Sequence, residues 1–307
     1  MVGRGWHGSK ILGTFGAAAT AGKLLGLDPT QLAHALAIAG SDAGGGMEYE
    51  FNGGEVKRMH SGSAARHGAQ AAQLAGSGLT GPLTIFEGKR GFYRLFTGAP
   101  APDETTEIGE HFHIVDTIFR MYPTIGSAAT VLEGLDTILE TTRLKWDDVA
   151  EVRIGLPQIA VGHGASNTHP TDAISAQFST AFGVGLLLVL GHANLADYMN
   201  AELWDDDRIR QVIDRVVPYA ANFGPGVNLS AEIEVVLTDG RVHRHRQNGF
   251  RGHPANPGRA EAVAAKFTDL TAEILGSAGS DELRRIVEHL DGEPNVVELV
   301  GHLVSKR

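Results

Sequence analysis

Between Ile11 and Ala75 the chain offers three helical stretches built largely from alanine and glycine, and no other feature limits its fold as much. Helices with such small side chains can approach one another closely, so this region points to a layer of tightly packed helices. The first stretch runs over Ile11–Leu27. The second has a clear start, with Asp28 as N-cap, Pro29 at the first helical position and Gln31 at capping-box spacing. It runs to about Ala39, and Gly40 ends it. The third is expected to start from Ser61 or Ser63 as N-cap and to reach about Ala75, with alanines at 64, 65, 69, 71, 72 and 75 available for close contact.

The stretch leading into the third helix holds the densest chemistry. Lys57, Arg58, His60, Arg66 and His67 fall inside eleven residues, after a lead-in with Gly44, Gly45, Gly46, Gly53 and Gly54. A helix start supplies unpaired N–H groups and a partial positive charge. Cations added there make a pocket for a carboxylate or a phosphate. The same residues also suit a solvated basic turn ahead of a packing helix.

Further along, Gly88–Thr97 mixes Lys89, Arg90 and Arg94 with Phe92, Tyr93 and Phe96, the pattern of a loop anchored by its aromatics. Ala99–Asp103 (APAPD) is the best domain boundary. Beyond it Phe112–Phe119 alternates like a strand, Gly126–Thr141 has helical period, and Val149–Leu156 reads as a strand. Asp172–Leu190 reads as one apolar helix and Asp205–Val216 as another. Ala231–Arg246 is a hairpin around Asp239-Gly240, with His243 and His245 on one strand face. Two histidines without a third ligand do not make a metal site, and none is expected. His163 and His169 lie in a loop read as surface. Pro254–Gly258 is a linker, and Arg259–Leu275 and Asp281–Leu290 are amphipathic helices.

Composition narrows the function classes. The 307 residues suffice for two domains or one large one. With no cysteine there is no disulfide framework and no thiolate nucleophile, which fits a reducing, cytoplasmic setting. A net charge of −10 argues against bulk binding to nucleic acid or an anionic membrane surface. The longest apolar run, Phe182–Leu190, is too short to span a bilayer.

Five stretches in order resemble the MmgE/PrpD family, which includes 2-methylcitrate dehydratase, cis-aconitate decarboxylase and an iminodisuccinate epimerase. They are GWHGSKILGTFGAAATAGKLLGLD from Gly5, ALAIAGSDAGGGMEY from Ala35, VKRMHSGSAARHG from Val56, GLTGPLTIFEGKRGFY from Gly78 and RGHPANPGRAEAVAAKF from Arg251. The resemblance implies a large all-α domain, formed by residues 1–100 with the helices of 253–307, and an inserted α/β lid over 101–252. It implies a homodimer with no organic cofactor and no metal. Family catalytic positions match His7 and Lys57, and His60 lies in the same basic segment as a third candidate. Arg58, Arg66 and His67 are candidate substrate-binding residues. Arg120 stands where the family has a lysine before a Tyr/Phe-Pro pair. An arginine keeps the charge but hardly deprotonates, so a carboxylate clamp is expected there.

The function implied is a lyase on a small di- or tricarboxylate, dehydrating a 2-methylcitrate-like substrate or decarboxylating a cis-aconitate-like one. The same-family epimerase reaction is the rival. Family chains begin with further helices that carry an Asp-rich segment, whereas Met1 here falls just before the GWH stretch. The helical domain is therefore expected to be incomplete at its N-terminus, as in a truncated inactive remnant or a subunit that needs a partner chain. Ile11, Leu12, Phe15, Leu24, Leu25, Leu32, Leu36 and Ile38 would then lack part of their cover.

Overall fold

The computed structural model describes residues 1–102, 109–162, 164, 167–224, 229–292, 295 and 297–303. Two of the sequence readings, the Asp103 end of the APAPD boundary and the loop residue His163, lie outside them. The longer helices are α1 (Gly8–Leu24), α2 (Pro29–Asp42), α3 (Val56–Gly76), α4 (Gly126–Thr141), α5 (Thr180–Leu190) and α6 (Arg259–Glu288). The strands are β1 (Val149–Leu156), β2 (Val216–Ala220), β3 (Ser230–Leu237) and β4 (Val242–Asn248). The chain divides into two compact units. One is Met1–His111 with His163–Phe182 and Ala196–Ile213, and the other is Phe112–Gly162 with Gly183–Leu195 and Asp214–Arg307. A helical part accompanied by a small mixed α/β part is the architecture that the sequence suggested.

In the first unit α1, α2 and α3 pack together, and small residues set their separation. A Cβ at Gly68 of α3 would lie 2.5 Å from the Thr14 carbonyl oxygen and 2.6 Å from the Ala18 nitrogen of α1. The reciprocal capping box at Asp28 and Gln31 forms as expected, with backbone-to-side-chain bonds of 2.9 and 3.0 Å. Ile11, Phe15, Ala18, Ala39, Ala71, Phe92 and Phe96 make one buried cluster. Trp6 meets Phe96 edge-on at 5.1 Å, which ties the start of the chain to the aromatic loop. Of the large side chains expected to lack cover, Ile11 and Phe15 are buried, while Leu12, Leu24 and Leu25 are exposed.

The third helix begins earlier than its serines suggest. Its N-cap is Glu55, which makes no side-chain capping bond, and Ser61 and Ser63 are interior residues. Burial of His60 against the start of α1 extends the helix past the local capping signal. Lys57, Arg58 and His60 are therefore helical residues and not members of a preceding turn.

In the second unit the sheet has the order β2-β1-β3-β4 among the described residues. β1 runs parallel to β2, and the β1/β3 and β3/β4 pairs are antiparallel. Ala231, Ile233, Val235 and Leu237 of β3 are all buried, an alternation that puts one strand face against a core. Helix α4 packs on that face, close enough that a Cβ at Gly134 would meet Ile233 at 2.4 Å and His245 at 3.3 Å. His243 and His245 pair with Val235 and Ile233 in register, so they lie on this helix-facing side.

Three local readings need correction. Phe112–Phe119 is not a strand. It contains a short 3-10 turn at His113–Asp116, and Phe112, Ile114 and Val115 are exposed, so its alternation has no sheet to join. The apolar stretch Asp172–Leu190 forms two helices, Ala173–Gln177 and α5, with a break around Ser179. Asp205–Val216 yields only a seven-residue helix, Asp207–Ile213, and Val216 opens β2. β2 holds Pro218, which a strand tolerates at a sheet edge, where β2 lies. The two C-terminal helices are continuous in α6 apart from Gly276, which has φ 71° and marks the expected break.

Candidate active site

The site candidate within the first unit begins with a small backbone clasp. The His7 amide donates to the Gly45 carbonyl at 2.9 Å, and the Met47 amide donates to Gly5 at 3.0 Å. This holds His7 as the N-cap of α1. Gly45 has φ 127° and sits so close to Lys10 and His60 that a Cβ would meet them at 3.0 and 3.3 Å. Glycine is needed there for both the angle and the space.

On α3, Lys57, His60, Ala64 and His67 recur at intervals of three or four residues and so share a face. That spacing brings His60 Nδ1 to 2.8 Å from His7 Nδ1. One nitrogen must carry the hydrogen and the other must accept it. Tyr49 stands edge-on to both rings, with centroids 5.7 Å from His7 and 5.8 Å from His60, and Phe178 lies 5.7 Å beyond it. The Lys57 ammonium lies over the Phe178 ring, 4.8 Å from its centroid. The segment carrying Phe178 is fixed by Asp172, whose carboxylate accepts from the Gly54 amide at 2.6 Å and the Ser175 amide at 2.7 Å. Gly53 and Gly54, both with positive φ, let the chain pass this close to Asp172.

Burial sets the electrostatics of the cluster. It pushes the His7 imidazole below its ordinary range, and the positive charges of His60 and Lys57 push further, against an opposing pull from Glu50. His60 is also lowered, by burial first and then by any positive charge that Lys10 carries. The Tyr49 hydroxyl is pushed up to about 12, by burial and then by the Glu50 carboxylate. At neutral pH the cluster thus presents a neutral histidine pair and a neutral phenol beside a lysine.

A histidine lowered on folding binds its proton more readily in the unfolded chain, so its contribution to stability rises with pH. That contribution is full above the ordinary histidine value of 6.5 and is lost as pH falls from there through the lowered native values. Melting temperature is therefore expected to fall on acidification below about pH 6.5. A His7→Gln, His60→Gln chain should show a flatter profile, and an unchanged acid slope would contradict the pair's burial as its cause.

The sequence-predicted residues divide clearly. His7, Lys57 and His60 come together. His67 lies farther along the same face of α3, where its ring contacts Arg66 and Lys10. Arg66 is exposed, with a guanidinium nitrogen 2.9 Å from His67 Nε2. Arg58 is exposed, pairs with Glu55 at 2.7 Å and reaches Met199. Arg120 belongs to the second unit, where it donates to the Thr124 carbonyl at 2.7 Å. His169 is exposed and contacts Thr168, as a surface loop residue would.

Sequence reasoning passed over Lys10, Tyr49, Glu50, Asp172 and Phe178. Lys10 was detectable, since it follows His7 by three residues and adjoins the stripe Ile11, Thr14, Ala18, all buried. Phe178 and Asp172 come from a distant segment, and no local spacing points to them.

The N-terminal and C-terminal MmgE/PrpD domain models match residues 1–105 and 122–292. The chain is 27% identical to a Homo sapiens protein named cis-aconitate decarboxylase, over 93% of this chain and 60% of that one. It is 28% identical to an Aspergillus terreus protein of the same name, over 98% of this chain and 65% of that one. A third relative, 26% identical, is the cis-aconitate decarboxylase-like protein oryM of Aspergillus oryzae. The chain thus spans 60–65% of the length of these relatives. With both domain models matched in order along most of its length, the chain belongs to the MmgE/PrpD family.

Proposed function

We propose that the chain binds a small di- or tricarboxylate at the His7–Lys57–His60 cluster and acts on it as a lyase, with decarboxylation of a cis-aconitate-like tricarboxylate as the favoured reaction. The observation that carries this reading is the 2.8 Å contact between His7 and His60 with the Lys57 charge beside it. Lys57 and the exposed Arg58 and Arg66 supply charge for carboxylate groups. In the decarboxylation a C–C bond to one carboxylate breaks and carbon dioxide leaves. The electron pair stays on the carbon framework, and a histidine of the pair supplies the proton that quenches it. Tyr49 walls the histidines with apolar surface and Phe178 backs Tyr49, which strengthens the charge interactions there. The names of the relatives support decarboxylation. Dehydration of a 2-methylcitrate-like hydroxy acid is the second reading, because a neutral histidine pair is equally suited to removing a proton next to a carboxylate. Lys57 would then face the enediolate oxygen as water leaves.

Binding can be tested apart from turnover. Calorimetric titration with propane-1,2,3-tricarboxylate, which lacks the reacting double bond, is expected to show saturable binding. Lys57→Ala should weaken it by roughly 10–100-fold, the usual worth of a hydrogen bond to a charged group. Equal affinity in the variant would move the carboxylate site away from Lys57.

A further inference from the structure

Lys10 is only 5% exposed, and its surroundings fix its protonation through hydrogen-bond valence. Arg66 places a guanidinium nitrogen 2.9 Å from His67 Nε2. A guanidinium donates and never accepts, so Nε2 is the accepting nitrogen of that ring. A neutral imidazole has one acceptor and one donor, which puts the hydrogen on Nδ1. His67 Nδ1 faces Lys10 Nζ at 3.4 Å. A hydrogen directed there needs a lone pair, and an ammonium has none. The other two neighbours of Nζ, each at 3.3 Å, are the Asp42 carbonyl oxygen and Thr14 Oγ1. The Thr14 hydrogen is already given to the Lys10 carbonyl at 2.8 Å, so Oγ1 is free to accept. A neutral amine, with two hydrogens and one lone pair, satisfies all three neighbours. An ammonium would set N–H against N–H.

We propose that Lys10 is a buried neutral amine governed by Arg66 through His67, and that release of Arg66 from His67 charges it. When a carboxylate draws Arg66 away, Nε2 takes a proton from solvent and the Nδ1 proton passes to the Lys10 lone pair. One proton enters and no covalent bond changes. Burial of Lys10 acts in the direction of this assignment, and the charges facing it are of both signs. Burial lowers the ammonium form, Arg66 on α3 lowers it further, and the Asp42 charge on α2 opposes them. On its own helix Lys10 has Thr14 and, one turn earlier, His7, and α3 also contributes His60 and His67. A charged Lys10 lowers His60, so carboxylate capture at Arg66 would hold His60 in its neutral form. The proposal takes only the class of ligand from the polycarboxylate reading.

The test uses the full chain labelled with 15N in histidine and lysine, at neutral pH, with resonances assigned through His67→Gln and Lys10→Arg. The expected result is a His67 hydrogen on Nδ1, an unprotonated Nε2, and Lys10 Nζ at the shift of a neutral amine. In Arg66→Met, which removes an exposed side chain, both should switch together, to a hydrogen on Nε2 and an ammonium at Lys10. An ammonium in the unaltered chain, a His67 hydrogen on Nε2, or an Arg66→Met spectrum without the switch would each overturn the proposal. No ligand or turnover enters the measurement, so its failure leaves the polycarboxylate reading standing, and failure of that reading leaves this result untouched.

Discussion

His60→Gln is expected to lower turnover of the proposed tricarboxylate substrate by about 10²–10⁴-fold, the range usual for loss of a positioned acid or base. Glutamine keeps most of the size and polarity of a side chain that is 5% exposed, so the fold should persist, as circular dichroism can check. His7→Gln should cost a similar factor. The 2.8 Å contact makes the two rings one proton-holding unit, and groups acting as a unit lose activity once. The double variant should accordingly be little worse than the poorer single. Independent losses that multiply would show that the two histidines act separately. If both singles kept activity within a few-fold, the pair would be a packing feature.

Gly68→Ala is expected to destabilise the chain, although alanine is the better helix former. Replacing glycine inside a helix ordinarily gains about 1 kcal/mol. At Gly68 the new Cβ meets backbone atoms of α1 at 2.5 and 2.6 Å, and backbone cannot turn aside as a flexible side chain can. Overpacking costs about 1–3 kcal/mol or more, and contact with backbone belongs at the upper end. The net loss should be about 2 kcal/mol, a fall of roughly 4–8 °C in melting temperature. Gly62, six residues earlier on the same helix, has no atom within 4 Å of its added Cβ. Gly62→Ala should therefore stabilise by about 0.5–1 kcal/mol. Opposite signs for one substitution on one helix separate packing from propensity. Activity should fall with Gly68→Ala as well, because pushing α1 from α3 lengthens the His7–His60 contact. A Gly68→Ala chain that melts higher than the unaltered one would refute the close approach of the two helices.

What could be read in advance follows from where each signal resides. The Asp28–Gln31 capping box, the helix at Gly126–Thr141 and the hairpin at Asp239-Gly240 are local, and all three form. The start of α3 was misread because Ser61 and Ser63 look like caps, whereas burial of His60 against His7 carries the helix back to Val56. That shift matters to the candidate site, since it aligns Lys57, His60 and His67 on one helical face. Phe112–Phe119 alternates without strand partners, and Pro218 disguises β2, so pattern alone failed at both. His7, Lys57 and His60 were legible as residues. Their meeting was not, because it depends on Gly45 and Gly68 permitting approaches that only three dimensions reveal. Lys10 adjoins the buried stripe of its own helix, but its partners Asp42 and His67 come from α2 and α3 and have no local signal.

The most direct measurement is turnover by the purified chain of cis-aconitate, followed by proton NMR together with trapping of released carbon dioxide. The expected result is conversion to an unsaturated acid with one carbon fewer, one carbon dioxide for each molecule consumed, and loss of the reaction in His60→Gln and Lys57→Ala. Failure of a folded chain to convert or bind cis-aconitate, 2-methylcitrate or any related polycarboxylate would contradict a polycarboxylate lyase site at His7, Lys57 and His60.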